Sequence, residues 1–241
     1  MDKKLIDLFI KNAIAEDVGD GDHTSLSTIP KNTQGKAKLI VKENGILAGV
    51  ELALEIFNQI DPDLKVNVSI ADGVKVNFGD IAFTVEGNTH SILLAERLVL
   101  NCMQRMSGIA TKTNRIVELL KPYQTKVLDT RKTTPNFRLL EKEAVRIGGG
   151  YNHRFGLYDM ILIIDNHIKA AGSVRLALEA TGQYCTAKKI NLPVVVEVKN
   201  QDELLEVLAF DFVIRILLDN MTPATVATMV AINQNKKQPN Q

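Results

Sequence analysis

Four short apolar runs in the second half of the chain each lead into a polar residue and then into a helical pattern. They are KVL before Asp129, MILII before Asp165, VVVEV before Lys199 and VIRILL before Asp219. Apolar runs that do not alternate with polar residues are typical of strands buried on both faces of a parallel sheet. The repetition of strand and helix therefore predicts an α/β architecture for this part of the chain.

The polar residues that follow these strands are the first candidates for function, because ligands of parallel sheets bind where the strands end at their carboxyl edge. Asp165 with Asn166 and Asp219 with Asn220 offer oxygen atoms to hydroxyl groups or to a hydrated Mg²⁺ ion. Each of these pairs could equally be an ordinary helix cap. Position alone leaves the two alternatives open.

The length of this region limits the architecture. A closed barrel of eight strand-and-helix units typically needs about 250 residues, and residues 111–241 offer room for only about half of them. We therefore expect an open, incomplete α/β barrel. The polar end of the chain, NQNKKQPNQ, is expected to lie outside the core.

The first half of the chain has a different pattern. Residues 35–90 contain short β-rich runs separated by glycines, with a helical stretch around 51–59, which predicts an α+β domain. A long amphipathic segment at 93–120, interrupted by Gly108, is suited to connect two domains. The resulting prediction is a first domain of residues 1–110, including the connecting helix, and a barrel domain of residues 111–241.

Charge and composition exclude several classes of protein. The net charge of +1 gives no long-range field to hold nucleic acids or membranes, and 5% aromatic residues offer few stacking surfaces for bases. No run approaches the roughly 18 apolar residues of a membrane span. Two distant cysteines without metal spacing fit a reducing compartment. We expect a cytoplasmic protein without nucleic-acid or membrane partners.

A local cluster of positive charge stands out in this nearly neutral chain. Arg131 and Lys132 follow a predicted strand, and His153 and Arg154 follow the glycine run 148–150, where the backbone can approach a ligand closely. Arginine binds carboxylates and phosphates through two parallel hydrogen bonds, and lysine adds a compact charge. The set predicts a pocket for a small ligand with several negative groups.

Other basic residues nearby are better explained as surface residues. Arg138, Lys142 and Arg146 lie on one predicted helix, and most charge runs on helices are solvated faces. Arginines on a helix, such as Arg97 and Arg105 on the connecting one, are most often surface ion-pair partners. No phosphate-binding P-loop, dinucleotide-binding glycine motif or nucleophile motif is present.

Six ordered blocks together resemble the quinolinate phosphoribosyltransferase family, also called carboxylating nicotinate-nucleotide pyrophosphorylases. The resemblance extends over nearly the whole chain, and the ordered set is far more specific than any single block. The blocks are EDVGDGDHT at 16–24, GILAGVE at 45–51, AERLVLNCMQRMSGIATKT at 95–113, DTRKTTP at 129–135, GGGYNHRFGLYDM at 148–160 and LLDNM at 217–221.

This resemblance implies an enzyme. The family transfers phosphoribose from phosphoribosyl pyrophosphate (PRPP) to the ring nitrogen of quinolinate with Mg²⁺ assistance, releasing CO₂ and pyrophosphate and giving nicotinate mononucleotide for NAD biosynthesis. The family fold is an N-terminal α/β sandwich domain joined to an open α/β barrel. Its members form homodimers in which one subunit's first domain covers the other's barrel.

The resemblance also implies roles for individual residues. It implies that the quinolinate carboxylates are held by Arg97, reaching in from the neighbouring subunit, and by Arg131, His153 and Arg154. By the same resemblance, Lys132 contacts substrate or phosphate as a catalytic residue. Asp219 is expected to be catalytic as well, binding the ribose hydroxyls or Mg²⁺.

The chain departs from the family pattern at three places, which motivates an alternative. Ile164 stands where the family usually has a lysine that points at the substrates, and Lys199 stands where it has a glutamate. The serine- and glycine-rich segment and the GALTHS-like loop that hold the PRPP 5′-phosphate are not found after LLDNM. The alternative is therefore an impaired or non-catalytic homologue that binds quinolinate or a partner.

Overall fold

The computed structural model describes residues 2–237 and divides the chain into two compact units, one up to His153 and one from Arg154 onwards. Each unit has its own hydrophobic core. The predicted boundary between an N-terminal domain and a barrel domain at residue 110 stays a prediction. In the part of the chain described, no helix is both long and apolar enough to cross a membrane.

The first unit mixes helices with antiparallel strands, as the sequence predicted. Its helices are α1 (Lys3–Val18), α2 (His23–Thr28), α3 (Val50–Ile60), α4 (Thr89–Leu120) and α5 (Arg138–Ile147). Its strands are β1 (Gln34–Ile40), β2 (Gly45–Ile46), β3 (Lys65–Val68), β4 (Lys75–Val76) and β5 (Ile81–Asn88).

The main sheet of this unit has the strand order β1-β5-β3, and both pairings are antiparallel. The central strand β5 contributes Ala82, Phe83 and Val85 to the core, all nearly inaccessible to solvent. Short strands β2 and β4 pair separately. Burial of an apolar sheet face against helices is the usual solution for an α+β domain.

Helix α4 is the longest element of the unit and contributes much of its core. Its buried positions recur every three or four residues, which is the spacing of one helix face. The sequence predicted an interruption at Gly108, and the structure shows a continuous helix there. A Cβ atom at Gly108 would meet open space, so this glycine costs the helix only its entropic penalty of about 1 kcal/mol.

The second unit is built around a parallel sheet. Its strands are β6 (Ile161–Ile163), β7 (Val194–Val198) and β8 (Val213–Leu218). Its helices are α6 (Asp165–Ala171), α7 (Val174–Lys188), α8 (Gln201–Val207) and α9 (Pro223–Lys237). The strand order is β6-β7-β8, so the sheet is an open array rather than a closed barrel, as the length of the region predicted.

The middle strand β7 explains why the apolar runs do not alternate. Val194, Val195, Val196 and Val198 have at most 2% of their surface exposed, because both faces of this strand are covered. Its carboxyl end lies beside the end of β8, where the Asp219 N–H donates to the Val198 carbonyl at 3.0 Å. Polar residues that follow neighbouring strands are therefore brought to one edge.

The first of the four predicted strands does not form, and this part of the prediction is wrong. The run KVL makes only an isolated parallel bridge between Leu128 and Tyr151. Beyond Tyr151 the His153 N–H donates to the Asp129 carboxylate instead of continuing the pairing. A side chain thus takes the hydrogen bond that a strand would need to extend.

Candidate active site

Asp129 and Lys142 form an ion pair in the interior of the first unit. The Lys142 Nζ atom lies 2.5 Å from Asp129 Oδ1, and the two side chains are only 4% and 6% exposed, respectively. Removing two charges from water is costly, and such a pair is stable only when further hydrogen bonds satisfy its remaining donors and acceptors. The neighbouring residues provide those bonds.

Asn152 and His153 complete the hydrogen bonding of this pair. The His153 N–H donates to Asp129 Oδ1 at 2.8 Å, and the Asn152 amide donates to Asp129 Oδ2 at 2.6 Å. Lys142 donates to the His153 carbonyl at 3.1 Å, and Asn152 donates to the Lys142 carbonyl at 2.9 Å. We call Asp129, Lys142, Asn152 and His153 the buried clasp. It joins the segment that begins at Asp129 to the segment that ends at His153.

A second anchor lies at the other end of the segment 129–134, which we call the cationic loop. The Thr134 N–H and hydroxyl donate to the two carboxylate oxygens of Glu141 at 3.2 and 2.9 Å. Arg105 donates to the same carboxylate from α4 at 2.7 and 3.0 Å. Adjacent residues of α5, Glu141 and Lys142, therefore hold the two ends of one loop.

The charge state of Glu141 supports this anchoring. Burial raises the pKa of Glu141, but the hydrogen bonds from Arg105 and Thr134 outweigh it, so the pKa lies below the ordinary value for glutamate. The side chain stays ionised and keeps its acceptors available at neutral pH. The prediction that Arg105 is an ion-pair partner is confirmed by this contact.

The cationic loop carries Arg131 and Lys132 between its two anchors. Arg131 is half-buried, and within residues 2–237 its buried Nε atom has no hydrogen-bond partner. An unsatisfied buried donor is costly, and an anionic ligand would satisfy it. Lys132 is exposed, and its N–H donates to Thr130 Oγ1 at 3.0 Å, which shapes the turn.

The interpretation of Lys142 as part of a solvated helix face is wrong. Its ammonium group is buried in the clasp, whereas Arg146, on the same helix, is exposed and pairs with Glu143. Helix α5 is covered on two sides, because Leu140 packs into the hydrophobic core and Lys142 faces Asp129. Helical periodicity alone does not reveal a second, polar contact face.

Packing also explains the glycine run 148–150. A Cβ atom on Gly148 would lie 2.5 Å from the Ala110 carbonyl oxygen, and one on Gly150 would lie 2.9 Å from Thr113 Cγ2. Gly149 has φ +90°, which a side chain would strain. The glycines thus allow the backbone to pass close to α4, and the ligand that the sequence suggested is not needed to explain them.

In the second unit, Lys199 and Asp165 form a contact across neighbouring strand ends. The Lys199 Nζ atom lies 2.7 Å from Asp165 Oδ2, and Lys169 approaches the same oxygen at 3.2 Å. The hydrogen bonds from Lys199 and Lys169 lower the pKa of Asp165 to about 2. The Lys199 and Asp165 side chains are 43% and 29% exposed, so a solute can reach this pair.

Asp219 completes a group that we call the sheet edge, consisting of Asp165, Lys199 and Asp219. Asp219 is half-buried at the end of β8. The hydrogen bond with Asp165 raises the pKa of Lys199, and the negative charge of Asp219 adds to this effect. The structure therefore brings together the polar residues that follow three neighbouring strands, as the sheet pattern predicted.

Ile164 and His167 form the start of α6. The Ile164 N–H donates to His167 Nδ1 at 3.1 Å, so the histidine side chain reaches back to cap the first turn. The side-chain hydrogen bond at the start of α6 thus comes from His167 rather than from Asp165 or Asn166, for which a helix cap was the alternative. Ile164 itself presents an apolar, half-buried side chain just before Asp165.

Two candidates, Arg97 and Arg154, belong to neither the buried clasp nor the sheet edge. Arg97 is exposed on α4, and Arg154 is half-buried at the start of the second unit. Lys142 and Asn152 were missed as contributors to the site. The only sequence signal for them is Asp129 itself, because an acid after a buried strand end needs a partner.

The described side chains are suited to bind magnesium together with a substrate, rather than in a site made of protein groups alone. Among residues 2–237, no cluster of three or more histidine, cysteine or acidic side chains could hold a metal ion. Asp165 already binds two lysines, which leaves Asp219 as the available carboxylate of the sheet edge. Mg²⁺ often binds through one or two carboxylates together with substrate phosphates and water. The donor set fits that arrangement.

Comparison with known proteins connects these observations. The chain matches the family models for the N-terminal domain of quinolinate phosphoribosyl transferase at residues 22–107 and for its C-terminal domain at residues 109–240. The crystal structure of NadC from Streptococcus pyogenes matches with a TM-score of 0.89 and 37% identity, covering 98% of this chain and 83% of that one. The predicted fold class is thereby confirmed.

Two plant proteins are among the similar sequences. Quinolinate phosphoribosyltransferase (decarboxylating) 1 of Nicotiana glauca is 49% identical over 218 residues. The chloroplastic nicotinate-nucleotide pyrophosphorylase (carboxylating) of Arabidopsis thaliana is 46% identical over the same number of residues. Each alignment covers 88% of this chain, and the chain spans 62% of the length of either relative.

Proposed function

The chain belongs to the quinolinate phosphoribosyltransferase family, and on this premise we propose that it transfers phosphoribose from PRPP to the ring nitrogen of quinolinate. The 2-carboxylate leaves as CO₂, pyrophosphate is released, and the product is nicotinate mononucleotide, a precursor of NAD. The observation that carries the proposal is the cationic loop, which is held at both ends and carries a guanidinium nitrogen that has no hydrogen-bond partner in the described part of the chain.

The residues of the first unit are suited to bind quinolinate. Arg131 can hold one carboxylate through two parallel hydrogen bonds, and the ring of His153, a member of the buried clasp, offers a further polar group. Lys132 is exposed and can contact a carboxylate or a phosphate. Arg154 follows His153 directly and extends the positive charge. A dianion such as quinolinate matches this number of cationic groups.

The sheet edge is suited to the phosphoribosyl donor. Asp219 can accept hydrogen bonds from ribose hydroxyls and can contact a Mg²⁺ ion carried by the pyrophosphate group. When bound, the ion would neutralise the negative charge that develops on the leaving pyrophosphate. Lys199 contributes a fixed positive charge beside Asp165. No part of this role requires a metal site built from protein groups alone.

Lys199 is also relevant to position 164, where this chain has isoleucine and the family usually has lysine. The lysine that the family usually carries at position 164 would place an ammonium group at the end of β6, and here the Lys199 ammonium lies beside Asp165, the residue that follows Ile164. The geometry supports compensation of the lost charge. Lys199 still cannot accept hydrogen bonds from hydroxyls, so Asp219 is left as the acceptor for the ribose.

The assembly and location belong to the same proposal. A homodimer would allow the exposed Arg97 to contribute to the partner subunit's site, as the family resemblance implies, and sedimentation velocity can test it. A cytoplasmic location fits the composition of the chain, although the Arabidopsis relative is named as chloroplastic. Microscopy of the tagged protein in its own cells would decide between compartments.

The alternative of an impaired or non-catalytic homologue is not supported by the comparisons, because the similar proteins are named as enzymes. The deciding experiment is a mass-spectrometric assay for nicotinate mononucleotide with quinolinate, PRPP and Mg²⁺. We expect product from the wild-type chain. Absence of product at high enzyme concentration would refute the proposal.

A matched pair of variants makes the assay specific. Arg131→Met removes a guanidinium from the cationic loop, and Arg146→Met removes one from the exposed face of α5. Loss of a charge-assisted hydrogen bond of about 1.5–3 kcal/mol corresponds to roughly 10- to 100-fold in kcat/KM for quinolinate. We expect that loss for Arg131→Met alone. Equal effects of the two variants would show that only overall charge matters.

A further inference from the structure

The buried clasp contains a lysine that the proposed chemistry does not use. Lys142 is 4% exposed and donates to Asp129 and to the His153 carbonyl, so its ammonium group has no room for a substrate. A buried ion pair is weak support for stability by itself, since apolar replacements are often as stable. The placement of its partners therefore suggests a different role.

Each partner of Lys142 adjoins a residue of the proposed quinolinate site. Asp129 lies two residues before Arg131, and His153 is itself one of the candidates. The bonds of Lys142 thus connect the side chain of Asp129 with the main chain at His153. A misplacement of about 1 Å in such a site can cost about 100-fold in rate, which is why a rigid connection matters.

We infer that Lys142 is a positioning residue of the quinolinate pocket, and that its ion pair with Asp129 fixes the separation of Arg131 and His153. This inference rests on the proposed function for the identity of the ligand. Its geometric part concerns the buried clasp alone. Glu141 assists from the next helical position by holding Thr134 at the far end of the cationic loop.

The test must separate positioning from stability. Lys142→Met leaves the Asp129 carboxylate buried without its cation and is expected to destabilise the protein. The double variant Asp129→Asn with Lys142→Met removes both charges, so much of the thermal stability should return while the connection stays broken. Asn152→Ala is a milder variant, because it removes two bonds of an exposed residue. Arg146→Met is the control for charge on the same helix.

The readouts are the melting temperature, the Kd for quinolinate by calorimetry, and KM for both substrates, all on the full chain. We expect the double variant to bind quinolinate about 10- to 100-fold more weakly, with a smaller change in KM for PRPP. Asn152→Ala should change the Kd in the same direction by less, and Arg146→Met should not change it. Affinity that recovers together with the melting temperature would mean a merely structural role and would overturn the inference.

A ligand-free measurement distinguishes this inference from the proposed function. Hydrogen exchange of the amides in segments 129–134 and 150–153 should be faster in the double variant than in the wild type, and unchanged in Arg146→Met. Wild-type protein that neither binds quinolinate nor forms product would refute the proposed function, and the exchange result would still test the clasp. Unchanged exchange in the double variant would refute the positioning role.

Discussion

The two units of the protein each contain a lysine–aspartate pair at nearly the same separation, in opposite surroundings. The nitrogen–oxygen distance is 2.5 Å for Lys142 with Asp129 and 2.7 Å for Lys199 with Asp165. The first pair is almost inaccessible to solvent, and the second is partly exposed. Bond length therefore does not distinguish the roles of these pairs, whereas burial does.

Burial determines which other partners the charges of each pair can bind. The Lys142–Asp129 pair is surrounded by further protein partners, so it can only hold the chain in place. The Lys199–Asp165 pair has water as an alternative partner for both charges and can yield to a ligand at modest cost. One pair is suited to support a site, and the other is suited to be part of one.

The largest expected effect is on global stability when the buried pair is broken. Lys142→Met leaves a buried carboxylate without its cation, which typically costs about 3–5 kcal/mol. Urea unfolding of the full chain measures the change. A loss no larger than that caused by Lys199→Met would remove the distinction between the two pairs.

The next effect concerns the exposed pair and appears as a pKa change. The hydrogen bonds from Lys199 and Lys169 lower the pKa of Asp165 to about 2, so its contribution to stability is present above about pH 4 and is lost as the pH falls through 2. Lys199→Met should raise the pKa of Asp165 towards its ordinary value and should lower the urea midpoint much less than Lys142→Met does, because this pair is partly exposed. Carboxyl NMR titration measures the pKa, and an unchanged pKa would contradict the contact.

Salt should separate the pairs further. At 1 M salt the Debye length is about 3 Å, so screening should raise the pKa of Asp165 while the destabilisation by Lys142→Met stays the same. The measurements are the NMR titration and urea unfolding, each repeated at low and high salt. Equal salt sensitivity of both pairs would mean that water reaches the clasp.

The smallest effect is expected from an ion pair within α5, in which the Arg146 side chain is 65% exposed and the Glu143 side chain 11%. Arg146→Met removes a contact with Glu143 one turn away, and such pairs contribute about 0.5 kcal/mol or less. Unfolding in urea should be nearly indistinguishable from wild type. A loss above about 1 kcal/mol would show that Arg146 has a role beyond the surface.

The apolar runs of the second unit were sufficient to predict a parallel sheet, because short runs without alternation, each followed by a helical pattern, are typical of strands buried on both faces. β7 and its valines are the clearest case. The prediction of a strand at the KVL run was wrong, because three residues are too few to show a pattern. The pairing ends where the His153 N–H donates to the Asp129 carboxylate. Whether so short a segment forms a strand depends on its tertiary hydrogen bonds.

The sequence predicted the positively charged residues of the candidate site but not the residues that hold them in place. Arg131 and Lys132 stand out in the sequence by residue type, and their roles stay predictions. Lys142 could not be predicted, because a buried lysine and a solvated one have the same letter and the same helical spacing. Only the position of Asp129 relative to α5 decides between them.

The cationic loop is attached to two consecutive residues of α5. This attachment limits the insertions and deletions that this part of the sequence can accept. Glu141 and Lys142 point about 100° apart around the helix axis, and each meets its own end of the loop. Insertion or deletion of one residue within the helical part of the stretch from Thr134 to Glu141, residues 138–141, would turn both anchors by about 100° relative to the preceding residues. Substitutions along that stretch can accumulate, whereas changes in its length should be rejected.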